Sequence, residues 1–307
     1  MTMDPMTPPR PYPALTPLDF LERAARMFSD RVAVIDGDER LTYAELHDDV
    51  RRQAATLTAL GVKPGDRVAV LAPNTRGLLE AHYSVPWCGA VLVALNARLN
   101  ARELAAIVDH AGAELLLYDQ ELADVAAEIG AAQRLALGAL VQRSRDEAPA
   151  ERVAAGEYDL LSLNYTSGTT GRPKGVMYHH RGAYLQALAM AYHARLSPGS
   201  AYLWTLPMFH CNGWCFTWAV TAAGGTHVCL RRVDPAAIWQ HLRHDGVTHL
   251  CGAPTVLTMI GSDRAAAEGP LPRTVWVGTG AAAEEQENRC GGERAVRGGR
   301  LGSAPCA

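Results

Sequence analysis

Apolar residues recur along this chain in two patterns, one typical of amphipathic helices and one typical of buried strands. Between residues 43 and 60 they return every three or four positions, which predicts a helix. Thr42 and Glu45 have the spacing of a capping box at the start of that helix. Just before it, an apolar run leads into Asp36-Gly37, a dipeptide typical of tight hairpin turns. The pattern therefore predicts a hairpin followed by a long helix.

Uninterrupted apolar runs alternate with helical stretches in two parts of the chain. The predicted strands lie at 67–71, 90–95, 114–118, 202–206, 226–230, 247–251 and 274–277, and the predicted helices at 16–28, from 75, at 101–111, 214–222 and 235–244, and from 254. This order is typical of βαβ units, so we predict an α/β fold with two parallel-sheet subdomains. Residues 122–157 lack a strong period and are predicted to form surface helices and a loop where the two halves meet.

Composition narrows the class of protein. The 307 residues are 48% hydrophobic and 20% charged, which excludes a chain that is disordered throughout. A net charge of −3 lacks the basic excess of a dedicated nucleic-acid binder, so we expect small-molecule partners. Residues 1–14 form a proline-rich lead without the apolar core of an export signal, and no later run is long enough to span a membrane. Seven scattered cysteines indicate reduced thiols and a cytoplasmic protein.

One segment contains the residues expected of a phosphate-binding loop. Residues 161–178 read LSLNYTSGTTGRPKGVMY, which predicts a strand, a loop rich in glycine and hydroxyl groups, and a second strand. Such a loop turns backbone N–H groups inward, and a lysine at its exit adds a charge, which together suit phosphate oxygens. The candidate phosphate-binding residues are Thr166, Ser167, Gly168, Thr169, Thr170, Gly171 and Lys174.

Two alternatives to a polyphosphate loop of this kind fit the sequence less well. The loop differs from the P-loop of kinases and ATPases, because Lys174 is followed by Gly175 and a strand instead of Ser or Thr and a helix. A flexible linker would need neither the Pro-Lys-Gly exit nor two flanking apolar strands. Lysine itself is informative here, since Lys63 and Lys174 are the only two in a chain that otherwise uses arginine.

The string YTSGTTGRPKG resembles the signature of adenylate-forming enzymes, specifically the acyl-CoA synthetases. LTPLDFLERAA, LTYAEL, GVKPGDRVAVLAPN, GAVLVALNARLN and WTLPMFHCNGWCFTWAV fit as well, so the resemblance covers about residues 15–282, roughly the first half of a full-length member. It implies a two-step reaction in which a carboxylic acid and Mg-ATP give acyl-adenylate and pyrophosphate, and coenzyme A then displaces AMP. ATP with Mg²⁺ and coenzyme A are thus implied as substrates, with no tightly bound cofactor and no resident metal.

The resemblance also implies roles for individual residues. In PMFHCNGW, His210 would lie at the substrate carboxylate as the candidate catalytic residue, and Trp214 would line or gate the acyl pocket. Gly280 and Ala281 would form part of the adenine or acyl wall. Two alternatives stand beside the pocket role. One is a strand-to-helix turn with a hydrogen-bonded His and a core Trp, and the other is a zinc site formed by His210 with Cys211 and Cys215.

The resemblance ends near residue 282. Residues 283–307 contain few large apolar side chains, which predicts a tail without fixed structure. The family's magnesium-binding, ribose-binding and adenylating-lysine segments are absent from the sequence, so we expect a truncated domain. A shift of reading frame and a natural short form both fit this change. Two functions are expected: an acyl-CoA synthetase of fatty acid metabolism that is inactive as this chain, or a non-catalytic nucleotide- or acyl-binding fragment or pseudogene product.

Overall fold

The computed structural model describes residues 13–166 and 173–279, together with the backbone of two strands at 294–297 and 300–303. Its helices are α1 (Leu18–Met27), α2 (Tyr43–Ala59), α3 (Arg76–Trp87), α4 (Ala101–Ala111), α5 (Ala123–Ala127), α6 (Leu137–Ser144), α7 (His180–His193), α8 (Cys211–Trp214), α9 (Phe216–Ala223), α10 (Pro235–His244) and α11 (Pro254–Ser262). Its strands are β1 (Val32–Asp36), β2 (Glu39–Thr42), β3 (Arg67–Leu71), β4 (Val91–Ala94), β5 (Ala113–Tyr118), β6 (Gln133–Ala136), β7 (Leu160–Thr166), β8 (Lys174–His179), β9 (Ala201–Leu203), β10 (Thr226–Val228), β11 (His249–Cys251), β12 (Val275–Gly278), β13 (Arg294–Arg297) and β14 (Arg300–Ser303).

Local sequence signals set several of these boundaries. The predicted capping box is confirmed, since the Thr42 hydroxyl accepts from the Glu45 amide at 3.3 Å and the Glu45 carboxylate accepts from the Thr42 amide at 2.7 Å. The Asp36-Gly37 hairpin turn is confirmed as well, with Gly37 at φ +59°. The hairpin turn and the start of α2 thus form where the local sequence predicts them.

The strands form two sheets. One has six strands in the order β6-β5-β3-β4-β7-β8, and the other has eight in the order β14-β13-β12-β11-β9-β10-β1-β2. Interior pairs are parallel, whereas β7–β8, β1–β2, β12–β13 and β13–β14 are antiparallel. The predicted α/β class is confirmed, and the sheets are mixed because hairpins add antiparallel strands at their edges.

The two sheets do not follow each other along the chain as two consecutive halves. β1 joins the eight-stranded sheet by pairing with β10, and β7 joins the six-stranded sheet by pairing with β4. The predicted junction at 122–157 is therefore not the point where one sheet ends and the other begins. The apolar pattern identifies a segment as a strand, but it does not show which distant strand will pair with it.

Three apolar clusters show how the layers stack. Alternate residues of β3 face opposite sides: Val68 packs into a central cluster, whereas Ala69 packs into an outer one with α4. In β9, Tyr202 likewise faces the central cluster and Leu203 an outer one with α10. Helices α2, α3 and α9 lie in the central cluster, between the two sheets. The order of layers is helix, sheet, helix, sheet, helix.

Two segments differ from their predictions. Residues 122–157 were expected to be helices and a loop, yet Gln133–Ala136 forms β6 beside β5. This strand was missed because it buries a single large apolar residue, Leu135. Within the predicted unstructured tail of 283–307, β13 and β14 form a hairpin on the free edge of β12. Strand pairing uses backbone groups, so it needs no large side chains. The remaining tail residues lie outside the described part of the chain.

Candidate functional site

Strands β7 and β8 frame the candidate phosphate loop. Thr166 ends β7 and pairs in register with Lys174, which begins β8, and both side chains are exposed. The strand after Lys174 is confirmed, as is the difference from a P-loop, because α7 begins only at His180. Ser167, Gly168, Thr169, Thr170 and Gly171 lie outside the described residues. The structure thus describes the two ends of the loop, with the ammonium opposite Thr166.

Residues 211–215 adopt an unusual backbone conformation. Cys211, Asn212, Gly213, Trp214 and Cys215 all have positive φ, between +43° and +62°. A left-handed turn costs roughly 1–2 kcal/mol at each residue that carries a Cβ, so surrounding contacts must hold it in place. The sequence had predicted the following helix to begin at 214, whereas α9 begins at Phe216, after this turn.

A buried set of amide and hydroxyl groups joins this turn to the strand that leads into the phosphate loop. The Asn212 side-chain oxygen accepts from the Ser162 hydroxyl at 2.8 Å and from the Asn164 amide at 2.6 Å. The Asn212 backbone N–H donates to the Asn164 side-chain oxygen at 3.1 Å. Ser162 and Asn164 belong to β7, four and two residues before its last residue, respectively. Two motifs that are far apart in sequence are therefore directly bonded.

His210 and Cys211 interact at the start of the turn. Their hydrogen bond lowers the pKa of the Cys211 thiol and raises the pKa of the His210 imidazole. The Tyr178 hydroxyl of β8 also hydrogen-bonds to Cys211 and lowers the pKa of that thiol further. Burial instead raises the pKa of the nearby Cys215 thiol to about 12. The pKa of the Cys211 thiol is therefore shifted in the opposite direction from that of Cys215.

His210 and Trp214 both face solvent. His210 is exposed, and Trp214 is 36% exposed at the opposite end of the left-handed turn. The alternative in which Trp214 is a core residue is therefore wrong. The core position beneath the turn is taken by Trp204, whose ring lies against Gly213. Partly exposed aromatic side chains with apolar faces are typical of ligand pockets.

A cavity of about 340 Å³ lies at the carboxyl ends of strands from both sheets, and its lining reaches Phe209 but includes neither His210 nor Trp214. Its lining residues are Pro73, Asn74, Ala97, Arg98, Glu121, Leu122, Thr205, Pro207, Phe209, Leu230, Arg231, Arg232 and Val233. Arg98 acts on His210 through its charge, which opposes the raised imidazole pKa. The crevice at the carboxyl ends of strands is the usual ligand site of open α/β sheets.

Asn74 is a residue of this cavity to which the sequence assigned no role. It follows β3, and its side-chain amide donates to the carbonyls of Trp204 at 2.8 Å and Leu206 at 2.7 Å. Its side-chain oxygen accepts from the Met208 amide at 2.8 Å. These three bonds fix the segment between β9 and His210 against the six-stranded sheet. The available signal was an asparagine three residues after the end of a buried strand.

A second cavity, of about 920 Å³, contains none of the predicted site residues. Its charged groups pair with one another: Arg76 bonds to Glu80 at 2.5 Å, to Asp49 at 2.6 Å and to Glu39 at 3.2 Å. Gln53 donates to the other oxygen of the fully buried Glu80 at 2.5 Å. This arrangement satisfies the buried carboxylate, so we interpret the network as a support of the fold.

Two histidines after β8 have structural roles. His179 caps α7, accepting from the Gly182 amide at 2.9 Å, and the His180 ring hydrogen-bonds to Thr16 at 2.8 Å, so both shape the local structure. Gly280 and Ala281 lie outside the described residues. Within the described ranges, no three or more His, Cys, Asp or Glu side chains form a group that could hold a metal ion, and no helix is long and apolar enough to cross a membrane.

The fold and the site together define an α/β protein whose candidate phosphate loop connects two antiparallel strands. The family model described as AMP-binding enzyme matches residues 21–296, and the chain belongs to that family. The match extends beyond residue 282, where recognisable motifs end. The family assignment from YTSGTTGRPKG is thereby confirmed.

The relatives of this chain are acyl-CoA ligases. A peroxisomal acetate/butyrate–CoA ligase of Arabidopsis thaliana is 37% identical over 308 residues, covering 90% of this chain and 54% of the ligase. The 4-hydroxybutyrate–CoA ligase 2 of Metallosphaera sedula is 41% identical over 269 residues, covering 80% of this chain and 49% of the ligase. The chain thus spans about half the length of the curated relatives it matches.

Solved structures show the same architecture. The inhibitor-bound N-terminal domain of FACL13 from Mycobacterium tuberculosis superposes with a TM-score of 0.80 at 27% identity, covering 88% of this chain and 76% of that domain. A fatty acyl CoA synthetase of the same organism gives a TM-score of 0.77 at 28% identity, covering 82% of this chain and 52% of the synthetase. The fold is that of the N-terminal domain of adenylate-forming enzymes.

Proposed function

We propose that this chain is the N-terminal half of an acyl-CoA ligase and binds ATP and a carboxylic acid. In the reaction, a carboxylate oxygen attacks the α-phosphorus of ATP, an acyl-adenylate forms, and the bond to pyrophosphate breaks. The coenzyme A thiol then attacks the acyl carbon and AMP leaves. The relatives favour this function over that of a binding protein without a catalytic role.

The phosphate side of the site is assigned to the β7–β8 loop. Lys174 supplies a positive charge at the loop exit, directly across from Thr166. Together with Ser167, Gly168, Thr169, Thr170 and Gly171 it would hold the β- and γ-phosphates and orient pyrophosphate as the leaving group. Mg²⁺ is proposed as the partner of ATP, where it would neutralise charge on the phosphates.

The acid side is assigned to the turn that follows β9. His210 is exposed, carries a raised pKa and directly follows Phe209, which lines the cavity of about 340 Å³. A ring N–H of its imidazole would donate a hydrogen bond to the incoming carboxylate and hold its oxygen toward the α-phosphate. Trp214 would provide an apolar wall for the acyl chain. Gly280 and Ala281 are kept as proposed wall residues.

The observation that carries the proposal is the bonding of Asn212 to Ser162 and Asn164. It connects the turn holding the acid to the strand holding the phosphate loop, and so would keep the carboxylate and the phosphates at a fixed separation. A reaction between two bound substrates depends strongly on such positioning.

Turnover needs more than positioning. A magnesium ligand, a ribose anchor and a lysine of the family belong to segments that this sequence lacks, and loss of a single preorganised donor already slows such reactions by roughly 10²–10³. We therefore propose that the 307-residue chain by itself binds substrates without forming acyl-adenylate. Whether it acts in fatty acid metabolism depends on the acid.

Exchange of labelled pyrophosphate into ATP tests this proposal. Acetate, butyrate, 4-hydroxybutyrate and benzoate form a suitable panel, since relatives are named for ligation of these acids. We expect ATP binding by calorimetry and no acid-dependent exchange. Exchange by monomeric protein clearly above that of a Lys174→Ala control would show a working enzyme, and the absence of ATP binding would remove the nucleotide site.

Location and other partners complete the proposal. Reduced thiols favour the cytoplasm, and relatives named peroxisomal make that organelle the competing location. A net charge of −3 supports small molecules as partners over nucleic acid. Cell fractionation with a tagged chain would distinguish the two compartments.

A further inference from the structure

Cys211 and Cys215 lie at the two ends of the left-handed turn. The Cys215 backbone N–H donates to the Cys211 carbonyl at 3.3 Å, which closes the five residues into a single helical turn. The Cα atoms of residues four apart on one helical turn are about 6 Å from each other, whatever the hand of the turn. Disulfides join residues whose Cα atoms are about 4.4–6.8 Å apart, so the two cysteines are within bonding range.

The two thiols differ in their access to solvent. Cys211 is partly exposed, whereas the other described cysteines are buried. The Cys211 thiol also hydrogen-bonds to the His210 imidazole and to the Tyr178 hydroxyl, and both contacts lower its pKa. A lower pKa increases the fraction of thiolate, which is the form that peroxides oxidise. An oxidant from solvent therefore meets Cys211 first, with Cys215 one turn behind it.

We propose that Cys211 and Cys215 form a redox pair that responds to hydroperoxides. The Cys211 thiolate attacks one oxygen of the hydroperoxide, the O–O bond breaks, and a sulfenic acid forms while the other oxygen takes up a proton and leaves as water or an alcohol. The Cys215 sulfur then loses its proton and attacks the Cys211 sulfur, the S–O bond breaks, and water leaves as the disulfide forms. Two thiols thereby lose two electrons and two protons, and the hydroperoxide takes up both.

The surroundings of Cys215 make it the second thiol to react. Burial, and then the negative charge of the Cys211 thiolate, raise the pKa of the Cys215 thiol to about 12. Conversion of Cys211 to a neutral sulfenic acid removes the second of these causes. The Cys215 thiol thus becomes easier to ionise only after Cys211 has been oxidised, which gives the two steps their order.

The disulfide would change the turn on the acid side of the proposed site. Bonded cysteines have their Cβ atoms about 3.5–4.5 Å apart, less than the roughly 5–6 Å across a helical turn, so closure draws the two ends together. Asn212 lies between them and is bonded to β7, so this movement acts on its bonds. His210 also loses the Cys211 hydrogen bond, the largest cause of its raised pKa. The effect on the acid rests on the proposed function, whereas the disulfide does not.

Peptide mass spectrometry of the full chain tests the pair. The chain is treated with hydrogen peroxide at pH 7, denatured, alkylated with iodoacetamide and digested with trypsin, which leaves Cys211, Cys215 and Cys229 together on the peptide 196–231. We expect one label on this peptide, at the buried Cys229, and three labels when dithiothreitol precedes alkylation. Three labels without dithiothreitol, a labelled Cys215 beside an oxidised Cys211, or a disulfide from Cys211 to any other cysteine would each overturn the proposal.

Trapping of the sulfenic acid with dimedone tests the order of the steps. In Cys215→Ala, dimedone should label Cys211 severalfold more than in the wild-type chain, because the sulfenic acid has no thiol to react with. Cys229→Ala, which removes another buried thiol, is the matched control and should be labelled as little as the wild-type chain. Equal labelling in Cys215→Ala and wild type would overturn the role of Cys215. The peptide result on the wild-type chain does not depend on the folding of either variant.

Nuclear magnetic resonance tests the link to the acid side separately. The His210 imidazole, assigned by comparison with His210→Gln, should titrate with a lower pKa in the peroxide-treated chain than in the reduced chain. The same titration in peroxide-treated Cys215→Ser, which cannot close the disulfide, should remain unchanged by later addition of dithiothreitol-free buffer and serves as the blank. An identical His210 pKa in the fully oxidised and reduced wild-type chains would overturn the link, even where the disulfide itself is found. Failure of ATP or acid binding would overturn the proposed function and leave the peptide result as it stands.

Discussion

The side-chain amide of Asn164 donates a hydrogen bond of 2.6 Å to the side-chain oxygen of Asn212. Asn164 lies on the strand that leads into the phosphate loop, and Asn212 lies in the left-handed turn that separates His210 from Trp214. Asparagine is among the non-glycine residues that best tolerate positive φ, so one side chain both permits the turn and fastens it to β7. Hydrogen bonds to β7 therefore hold the strained turn in place.

Replacement of Asn212 tests the strength of this attachment. Asn212→Ala leaves the buried hydroxyl of Ser162 and the buried amide of Asn164 without an acceptor and places alanine at φ +43°. We expect a loss of about 2–4 kcal/mol in the free energy of unfolding, measured by urea denaturation. Asn96→Ala, which removes a single exposed bond to the Arg98 amide, is the control and should cost less than about 1 kcal/mol. Equal costs would show that the Asn212 bonds do not stabilise the turn.

Gly213 is the position in the turn where a side chain has least room. A Cβ there would lie 2.8 Å from Cη2 of the buried Trp204 ring, and φ is +59°. Gly37 has the same φ of +59° with nothing within 4 Å, so Gly37→Ala carries the backbone strain without the clash. We expect about 1 kcal/mol for Gly37→Ala and about 2–4 kcal/mol for Gly213→Ala in thermal or urea unfolding. Equal destabilisation would mean that the Trp204 ring moves aside freely.

The fold could be predicted where local signals are strong. The Thr42–Glu45 capping box and the Asp36-Gly37 turn depend on residues a few positions apart, so they are visible in sequence. The parallel interior of both sheets followed from alternating apolar runs. β6 was missed because Gln133 and Arg134 are exposed and only Leu135 is deeply buried, which leaves no periodic signal.

The site was predicted as two separate motifs, and their connection was not. The glycine-rich loop and the PMFHCNGW turn have distinctive residues, whereas the bonds from Asn212 to Ser162 and Asn164 join positions about 50 residues apart. Asn74 acts across the two sheets in the same manner. Such contacts depend on strand order, and strand order is set by non-local packing that one sequence does not display.

Lys174 is expected to bind the phosphates through its charge at the exit of the loop. Lys174→Ala should weaken ATP binding by about 1.5–3 kcal/mol, toward the lower end because the side chain is exposed. Lys63→Ala, at the only other lysine and likewise on the surface, is the matched control and should leave the affinity unchanged. Isothermal titration calorimetry at one ionic strength measures both. Equal affinities for wild type and Lys174→Ala would remove the loop from nucleotide binding.

His180 makes stability depend on pH. Burial lowers its pKa from 6.5 to about 4, so between these values the unfolded chain binds a proton that the folded chain does not. Its contribution to the free energy of unfolding therefore falls as the pH drops from 6.5 toward 4, by up to about 1.4 kcal/mol per pH unit. His180→Asn should lower that slope in urea titrations at pH 7, 6 and 5. The control is His244→Asn, which replaces an exposed histidine and should have the same slope as the wild-type chain. If His180→Asn also had the wild-type slope, the prediction would be contradicted.

Cys211 should be the most reactive thiol among the described cysteines. Its hydrogen bond with His210 lowers the thiol pKa, whereas burial raises the pKa of Cys215 to about 12 and that of Cys88 to about 11. Because the thiolate is the nucleophile, iodoacetamide at pH 7 should alkylate Cys211 first, as followed by peptide mass spectrometry. His210→Gln removes the imidazole that lowers the thiol pKa and should slow that alkylation severalfold, while a global increase in reactivity at Cys215 would instead indicate unfolding. Equal labelling rates at Cys211 in both proteins would show that His210 does not activate the thiol.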